Sequence, residues 1–244
     1  MEYLQGGTLH KLILQNRSIS ICLPLLLRMA FEIASGLTAL HNLRDRERIT
    51  HNDLKPSNIL LTSDLHCKIG DFGGARLATA TNNNITRAFS NRANEGVEYT
   101  YEYADPERLD TVIVDIRTYM DVFSFAMVLY TMIARKRPKP REMSRDEYKI
   151  FVKQGNRPTF DDCTEEIWLF LKGIVERAWN PDSNDRPTMK DIRNQLRDVL
   201  NLQEPLEIAR GVVNVLEGYN INPNPVQNSD IEWQPLVSGK FIHY

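Results

Sequence analysis

Residues 121–134 are apolar on nearly every side of a helix, and no other stretch of the sequence constrains the fold as strongly. A helix on a protein surface keeps one polar face, whereas a helix that is apolar all round has to be buried among other elements. The sequence therefore predicts a central buried helix. A chain of 244 residues, with 42% hydrophobic and 25% charged residues, is long enough for one sizeable core of this kind.

Most of the remaining periodicity is also helical. Apolar side chains recur at alternating steps of four and three in residues 23–41, which predicts one long amphipathic helix. These side chains are Leu26, Ala30, Ile33, Leu37 and Leu40. Further helices are predicted over residues 144–151, which a capping box opens, and over residues 165–179 and 188–200. Residues 204–244 are interpreted as a tail of uncertain order, because loop-like Asn and Pro clusters dominate there.

Short strands are predicted around a polar stretch that follows the first long helix. The strand-like runs are residues 49–50, 59–61 and 67–69, and the pair Ser63 and Asp64 turns the last two runs into a hairpin. The polar residues between these runs are therefore expected in loops at strand ends. Loops that a rigid scaffold holds in place are where catalytic groups are commonly found.

Composition excludes several classes of partner. The formal net charge of −2 argues against a nucleic-acid surface, which needs clustered Lys and Arg without neighbouring acids. None of the three cysteines, Cys22, Cys67 and Cys163, has the spacing of a zinc or redox site, so we expect a reducing, cytoplasmic compartment. The longest apolar run, residues 19–27, is too short to cross a bilayer, and we expect no membrane segment in this chain.

The most specific motif is H-N-D-L-K-P-S-N at residues 51–58, followed by D-F-G at residues 71–73. It sets an Asp, a Lys, an Asn and a second Asp at spacings that suit phosphoryl transfer to a hydroxyl. That reaction needs an aligned nucleophile and neutralised phosphate charge. Each residue alone would be weak evidence, because a single Asp or Asn in a polar loop is usually a turn former.

The motif resembles the catalytic core of the eukaryotic protein kinases. The resemblance implies that Asp53 is the catalytic base and that Lys55 faces the transferred phosphate. It also implies that Asn58 and Asp71 bind the nucleotide and hold Mg²⁺, with His51 in structural support. ATP and Mg²⁺ are the expected cofactors, and the expected partner is a protein substrate.

Further matches to the family lie outside the motif. The resemblance implies that Asp121 accepts backbone N–H bonds from the catalytic loop and that Arg186 pairs with Glu107 in the interior. Residues 179–182 are similar to the tyrosine-kinase-like branch, and Lys55 together with Thr100 matches enzymes directed at Ser and Thr. In those enzymes the threonine hydroxyl braces the base and the lysine.

The start of the chain resembles the hinge between the two lobes of a kinase. Glu2 and Leu4 would then contact adenine, and residues 1–203 would form the hinge and the mainly α C-terminal lobe. The Gly-rich loop and the strand lysine of the N-terminal lobe are not found, and Gly6 and Gly7 do not replace them. We therefore expect the N-lobe to be absent and this chain alone to be nearly inactive.

Two alternatives share the motif. A pseudokinase-like interaction module would keep the lobe with a vestigial site, although the intact Asp53, Asn58 and Asp71 argue against decay. A small-molecule phosphotransferase of the aminoglycoside or choline type has a similar H-x-D-x-x-x-x-N motif. Against this alternative stand D-F-G and the Pro-Glu and Arg-Pro pairs at residues 106–107 and 186–187.

Asn52 leads to a prediction about regulation, because most family members have Arg at this position and use it to bind a phosphate on the activation segment. Asn cannot form that bidentate contact. We expect alanine at Thr79, Thr81, Thr86 and Ser90 together to leave most of the kinase activity in place. The check is a phosphate-transfer assay on the quadruple variant, and a loss in proportion to the phosphates removed would contradict the prediction.

Overall fold

The computed structural model of this chain describes residues 4–43, 48–77, 100–109, 117–160 and 166–219. Helices dominate these residues, as the predicted mainly α fold requires. The helices are α1 (Leu23–His41), α2 (Thr118–Ala134), α3 (Arg145–Lys153), α4 (Glu166–Ala178), α5 (Met189–Leu200) and α6 (Pro205–Gly218). The strands are β1 (Ile49–Thr50), β2 (Ile59–Leu61), β3 (Cys67–Ile69) and β4 (Arg76–Leu77).

The strands form two small antiparallel pairs at one end of the helical body. β2 pairs with β3 in the predicted hairpin, with Ile59 opposite Ile69, and β1 pairs with β4. Because β1 and β4 are far apart in the sequence, their pairing brings together the two loops that contain the motif residues. The hairpin packs against α1.

The first long helix, α1, has the predicted bounds. It begins after Cys22 with Pro24 in its first turn, where a missing N–H does no harm. Its apolar face, including Leu26, Ile33 and Leu37, is buried against α5, α6 and the hairpin. By length and hydropathy alone α1 could also cross a membrane, but more than half of it is buried inside this fold, as in a core helix.

The central helix α2 is buried on every side, as predicted, and begins at Thr118. Every residue from Met120 to Met132 is buried. The helix ends at Arg135, whose backbone turns into the left-handed region at φ 54°. The guanidinium of Arg135 donates to four carbonyl groups of the N-terminal segment, at 2.9–3.3 Å. These bonds fix the end of the core helix to residues 12–19.

The shorter helices are where local signals place them. Ser144 and Glu147 form both bonds of a capping box at the start of α3. Thr188 and Asp191 do the same for α5. α4 covers the predicted stretch and buries Leu171 against α2.

The interpretation of residues 204–244 as a tail is wrong for its first part. Residues Pro205–Gly218 form the helix α6, which buries Ile208, Val212 and Val215 against α1. Gly211 allows this close approach, because it faces the Cys22 side chain just before the start of α1. Residues 220–244 lie outside the described part of the chain.

The N-terminal segment makes a turn and then pairs with the edge of the hairpin through an isolated bridge between Thr8 and Leu60. The Gly6 N–H donates to the Leu61 carbonyl at 3.0 Å, and the Leu61 N–H donates to the Gly7 carbonyl at 2.9 Å. A Cβ atom on Gly6 would lie 2.2 Å from the Thr62 carbonyl oxygen, so only glycine fits. The chain then enters a short π-helix, Lys11–Gln15.

The close packing of α6 on α1 predicts that a single methyl group added at Gly211 destabilises the fold. At Gly211 the added Cβ would lie 2.3 Å from Cys22 Sγ and 3.3 Å from Leu25 Cβ. We therefore expect Gly211→Ala to lower the free energy of unfolding by about 1–3 kcal/mol through overpacking. Urea-induced unfolding followed by circular dichroism measures the change.

The matched control is Gly173→Ala in α4, where the Cβ would meet only the flexible end of the Arg177 side chain, at 3.3 Å. Alanine favours the helix, so this variant should be unchanged or more stable by about 0.5–1 kcal/mol. Equal stability of the two variants would contradict the close contact between α6 and α1.

Candidate active site

The motif loop between β1 and β2 is attached to the core through Asp121. This side chain is fully buried in the first turn of α2. Its carboxylate accepts the backbone N–H groups of His51 and Asn52, at 2.7 and 2.9 Å. The prediction that Asp121 accepts bonds from the catalytic loop is confirmed. Its third partner is His41 Nε2 at 2.8 Å, which the sequence analysis missed because a lone His at the end of an apolar helix is usually a core residue.

Asp53, Lys55 and Asn58 converge, as the motif predicts. Lys55 Nζ lies 2.7 Å from Asp53 Oδ2, and both side chains are partly buried. Asn58 Nδ2 donates to the backbone carbonyl of Asp53 at 2.9 Å and to Oδ2 at 3.3 Å. The base predicted from the sequence is therefore held by a cation and an amide.

From the described residues, one weak contact reaches the other carboxylate oxygen of Asp53. The backbone N–H of Thr100 donates to Asp53 Oδ1 at 3.4 Å. The expectation that the Thr100 hydroxyl braces the base and the lysine is not met, because the main chain of Thr100 makes the contact. Among the described residues, Oδ1 is thus the less engaged of the two carboxylate oxygens of Asp53.

Asp71 lies beside Asn58 at the end of the hairpin. The N–H of Gly70 donates to the Asn58 carbonyl at 2.8 Å, which brings the next residue, Asp71, to the motif loop. Asp71 is exposed, with φ 57°, and accepts the Gly73 N–H at 3.3 Å. Asn58 directs its amide nitrogen to Asp53, so its amide oxygen faces away from the base.

This pair of oxygen donors fits Mg²⁺. The hard cation takes one or two protein oxygens and completes its octahedron with phosphate and water. Within the described ranges, no group of three or more His, Cys, Asp or Glu side chains forms a self-sufficient metal cage. The donor set of Asn58 and Asp71 suits a metal that arrives with a nucleotide.

His51 holds the loop that follows the hairpin. Its Nε2 atom lies 2.9 Å from the Gly70 carbonyl oxygen, and its ring lies 5.2 Å from the ring of Phe72. His51 is fully buried, whereas about half of Phe72 is exposed. His51 thus orients the loop on which Asp71 lies.

Glu2 and Leu4 are the two residues predicted to contact adenine, and the structure describes one of them. Glu2 lies outside the described residues. Leu4 is partly buried, and its carbonyl accepts the Gly7 N–H at 3.5 Å. Its role in binding adenine stays a prediction.

The predicted pairing of Arg186 with Glu107 is wrong. Arg186 forms its ion pair with Asp105, and neither side chain is exposed. Asp105 precedes the 3-10 helix Pro106–Leu109 and points inward, whereas Glu107 lies on the exposed side of that turn. Glu107 instead accepts a hydrogen bond from the Tyr119 hydroxyl at 2.5 Å.

Further contacts hold the Arg186 side chain beside Asp105. Arg186 Nε donates to the Asn180 carbonyl at 2.8 Å, and the guanidinium lies 5.1 Å from the Phe123 ring centre. Burial raises the pKa of Asp105, and the Arg186 charge opposes that rise. Burial and the neighbouring Glu107 raise the pKa of Tyr119 to about 12, so the phenol remains a donor at neutral pH.

Comparison with known proteins agrees with this geometry. Residues 1–196 match the family model described as protein tyrosine and serine/threonine kinase. Serine/threonine-protein kinase VIK of Arabidopsis thaliana is 33% identical over 202 residues, which cover 81% of this chain and 42% of that protein.

Two animal proteins are also similar. Receptor-interacting serine/threonine-protein kinase 1 of Homo sapiens is 30% identical over 231 residues, covering 93% of this chain and 33% of that protein. Receptor-interacting serine/threonine-protein kinase 4 of Mus musculus is 31% identical over 202 residues, covering 82% and 24%. The chain thus spans well under half the length of these curated relatives.

Because Arg186 pairs with Asp105 and not with Glu107, we expect the replacement of these two carboxylates to have very different effects on the free energy of unfolding. Asp105→Asn leaves the buried Arg186 charge unpaired and should lower the free energy of unfolding by about 3–5 kcal/mol. Glu107→Gln, the matched control, alters an exposed contact and should change it by about 1 kcal/mol or less. Urea unfolding at neutral pH measures both, and a larger loss for Glu107→Gln would contradict the pairing.

Proposed function

Because this chain belongs to the eukaryotic protein kinase family, we propose that the protein transfers the terminal phosphoryl group of ATP to Ser or Thr hydroxyls of a protein substrate. The observation that supports this most is the arrangement at Asp53. Its Oδ2 atom is engaged by Lys55 and Asn58, at 2.7 and 3.3 Å, whereas the described residues give Oδ1 a single contact, the long one of 3.4 Å from the Thr100 N–H. A substrate hydroxyl needs one such carboxylate oxygen as its acceptor.

In the proposed reaction each residue has one task. Asp53 Oδ1 accepts the hydrogen bond of the substrate hydroxyl, aligns it and takes its proton late in the transfer. Lys55 lies next to the base and can direct its charge to the transferred phosphate. Asn58 and Asp71 would hold Mg²⁺, which neutralises the developing charge on the phosphate oxygens. The transition state is loose, so positioning and charge carry most of the catalysis.

Ser/Thr specificity, the protein substrate and a cytoplasmic location are parts of the same proposal. The D-L-K sequence at residues 53–55 and the similarity to two serine/threonine-protein kinases support specificity for Ser and Thr. Neither a Gly-rich phosphate loop nor a V-A-I-K-type lysine occurs in these 244 residues. We therefore propose that the chain by itself, which would hold a nucleotide from one side only, transfers phosphate poorly.

The decisive experiment is radiolabelled phosphate transfer by the full-length natural protein to a generic basic protein. Asp53→Asn should lower the rate by about 10²–10⁴-fold, because the hydroxyl loses its base. Asp198→Asn, at an exposed position of α5, is the control and should leave the rate unchanged.

Two other outcomes would overturn the proposal. Equal labelling by the Asp53→Asn variant and the natural protein would favour an interaction module without activity. Labelling of small alcohols or aminoglycosides in preference to protein would favour a small-molecule phosphotransferase.

A further inference from the structure

Asn52, next to the base, has an unusual backbone and buried surroundings. Its φ is 67°, a left-handed conformation that Asn tolerates better than most residues do. Only 7% of the residue is exposed. Its N–H donates to Asp121, and its carbonyl accepts a hydrogen bond from the Arg108 guanidinium. The main chain of Asn52 is thereby fixed from two sides.

The side chain of Asn52 reaches the other functional loop. Its Nδ2 atom donates to the Gly74 carbonyl at 3.2 Å. Because the acceptor is a carbonyl, only the amide nitrogen can face it, and a carboxylate at this position could not replace it. The amide oxygen is buried and has no partner among the described residues, so within them the bond to Gly74 is the one polar contact of this side chain.

Gly74 is where the two loops touch. A Cβ atom at this position would lie 3.4 Å from Asp53 Cβ and 3.5 Å from the His51 carbonyl oxygen. Residues 70–74, which we call the metal loop, are therefore held at both ends by successive residues of the motif loop. His51 bonds to the carbonyl of Gly70, and Asn52 bonds to the carbonyl of Gly74.

Asp71, between these two attachments, is held weakly on its own. It is exposed, has a left-handed backbone at φ 57°, and accepts a long hydrogen bond, 3.3 Å, from the Gly73 N–H in the same loop. A non-glycine residue stays in this region of φ only where its surroundings hold it there. The direction of the Asp71 carboxylate therefore depends on the two ends of the metal loop.

We propose that Asn52 is a positioning residue for the Mg²⁺ ligand Asp71, and that it acts through its bond to Gly74. This inference rests on the proposed function, because it takes Asp71 as a metal ligand. Loss of the bond would release one end of the metal loop while Asp53, Lys55 and Asn58 keep their contacts. The expected defect is thus in metal and nucleotide binding rather than in the base.

The principal variant is Asn52→Gly in the full-length natural protein, because glycine keeps the left-handed backbone and removes only the amide. Binding of a fluorescent ATP analogue is titrated with Mg²⁺. We expect the Mg²⁺ concentration at half-saturation to rise about fivefold, the factor that corresponds to one net hydrogen bond. Hydrogen exchange of peptide 70–77 should accelerate by a similar factor.

Two further variants separate positioning from general destabilisation. Asn16→Gly removes a comparable bond, from Nδ2 to the Lys11 carbonyl at 2.8 Å, in the N-terminal segment, and should change neither measurement. Asn52→Ser adds no charge to this buried site and is too short to reach the Gly74 carbonyl, and it should reproduce the Asn52→Gly defect. If Asn52→Gly does not fold, Asn52→Ser gives the same test.

Each remaining outcome decides against at least one of the two proposals. Unchanged Mg²⁺ half-saturation in both Asn52 variants would overturn the positioning role, even if hydrogen exchange accelerates. Mg²⁺-dependent nucleotide binding without phosphate transfer by the natural protein would overturn the proposed function and leave the positioning role standing. Binding that does not depend on Mg²⁺ would exclude Asp71 as a ligand and overturn both.

Discussion

The arrangement of the site depends on the buried carboxylate of Asp121. A carboxylate with no exposed surface is tolerable only when donors satisfy it, since an unpaired buried charge costs several kcal/mol. Its donors come from the last residue of α1 and from two successive residues of the motif loop. The core helix α2 thereby fixes the loop at a point next to Asp53. The all-round apolar segment that dominates the sequence thus also sets the position of the base.

The sequence best predicted those helices whose signals lie within a few residues of one another. Apolar spacing predicted α1, and a capping box predicted the start of α3, because these features act within a few residues. The helix α6 was missed because Asn and Pro clusters beyond residue 218 dominated the interpretation of the whole C-terminal stretch. Its stability comes from packing of Ile208, Val212 and Val215 on α1, a tertiary effect.

The sequence predicted which residues form the site but not every contact between them. The motif identified Asp53, Lys55, Asn58 and Asp71, and the structure brings the first three together around one carboxylate, with Asp71 beside them. Sequence spacing could not decide which of two acids, two residues apart, turns inward to Arg186. Only the path of the chain around Pro106 decides that, and it turns Asp105 inward.

The amide at position 58 has a physical reason that follows from the neighbouring base. Its nitrogen donates to Asp53, so its oxygen is left for a cation, and one side chain serves both the base and the metal. An aspartate there would offer oxygens in both directions and would repel Asp53 at the distance where Asn58 now donates. A similar division holds for Asp53, whose Oδ2 is bound by Lys55 and Asn58, whereas among the described residues its Oδ1 accepts only the long contact from the Thr100 N–H. The bonded atoms of Asp53 and Asn58 hold these side chains in place before substrate arrives, and their other oxygens can then contact the substrate and the metal. Such prior ordering of the charged and polar groups is the condition for electrostatic preorganisation.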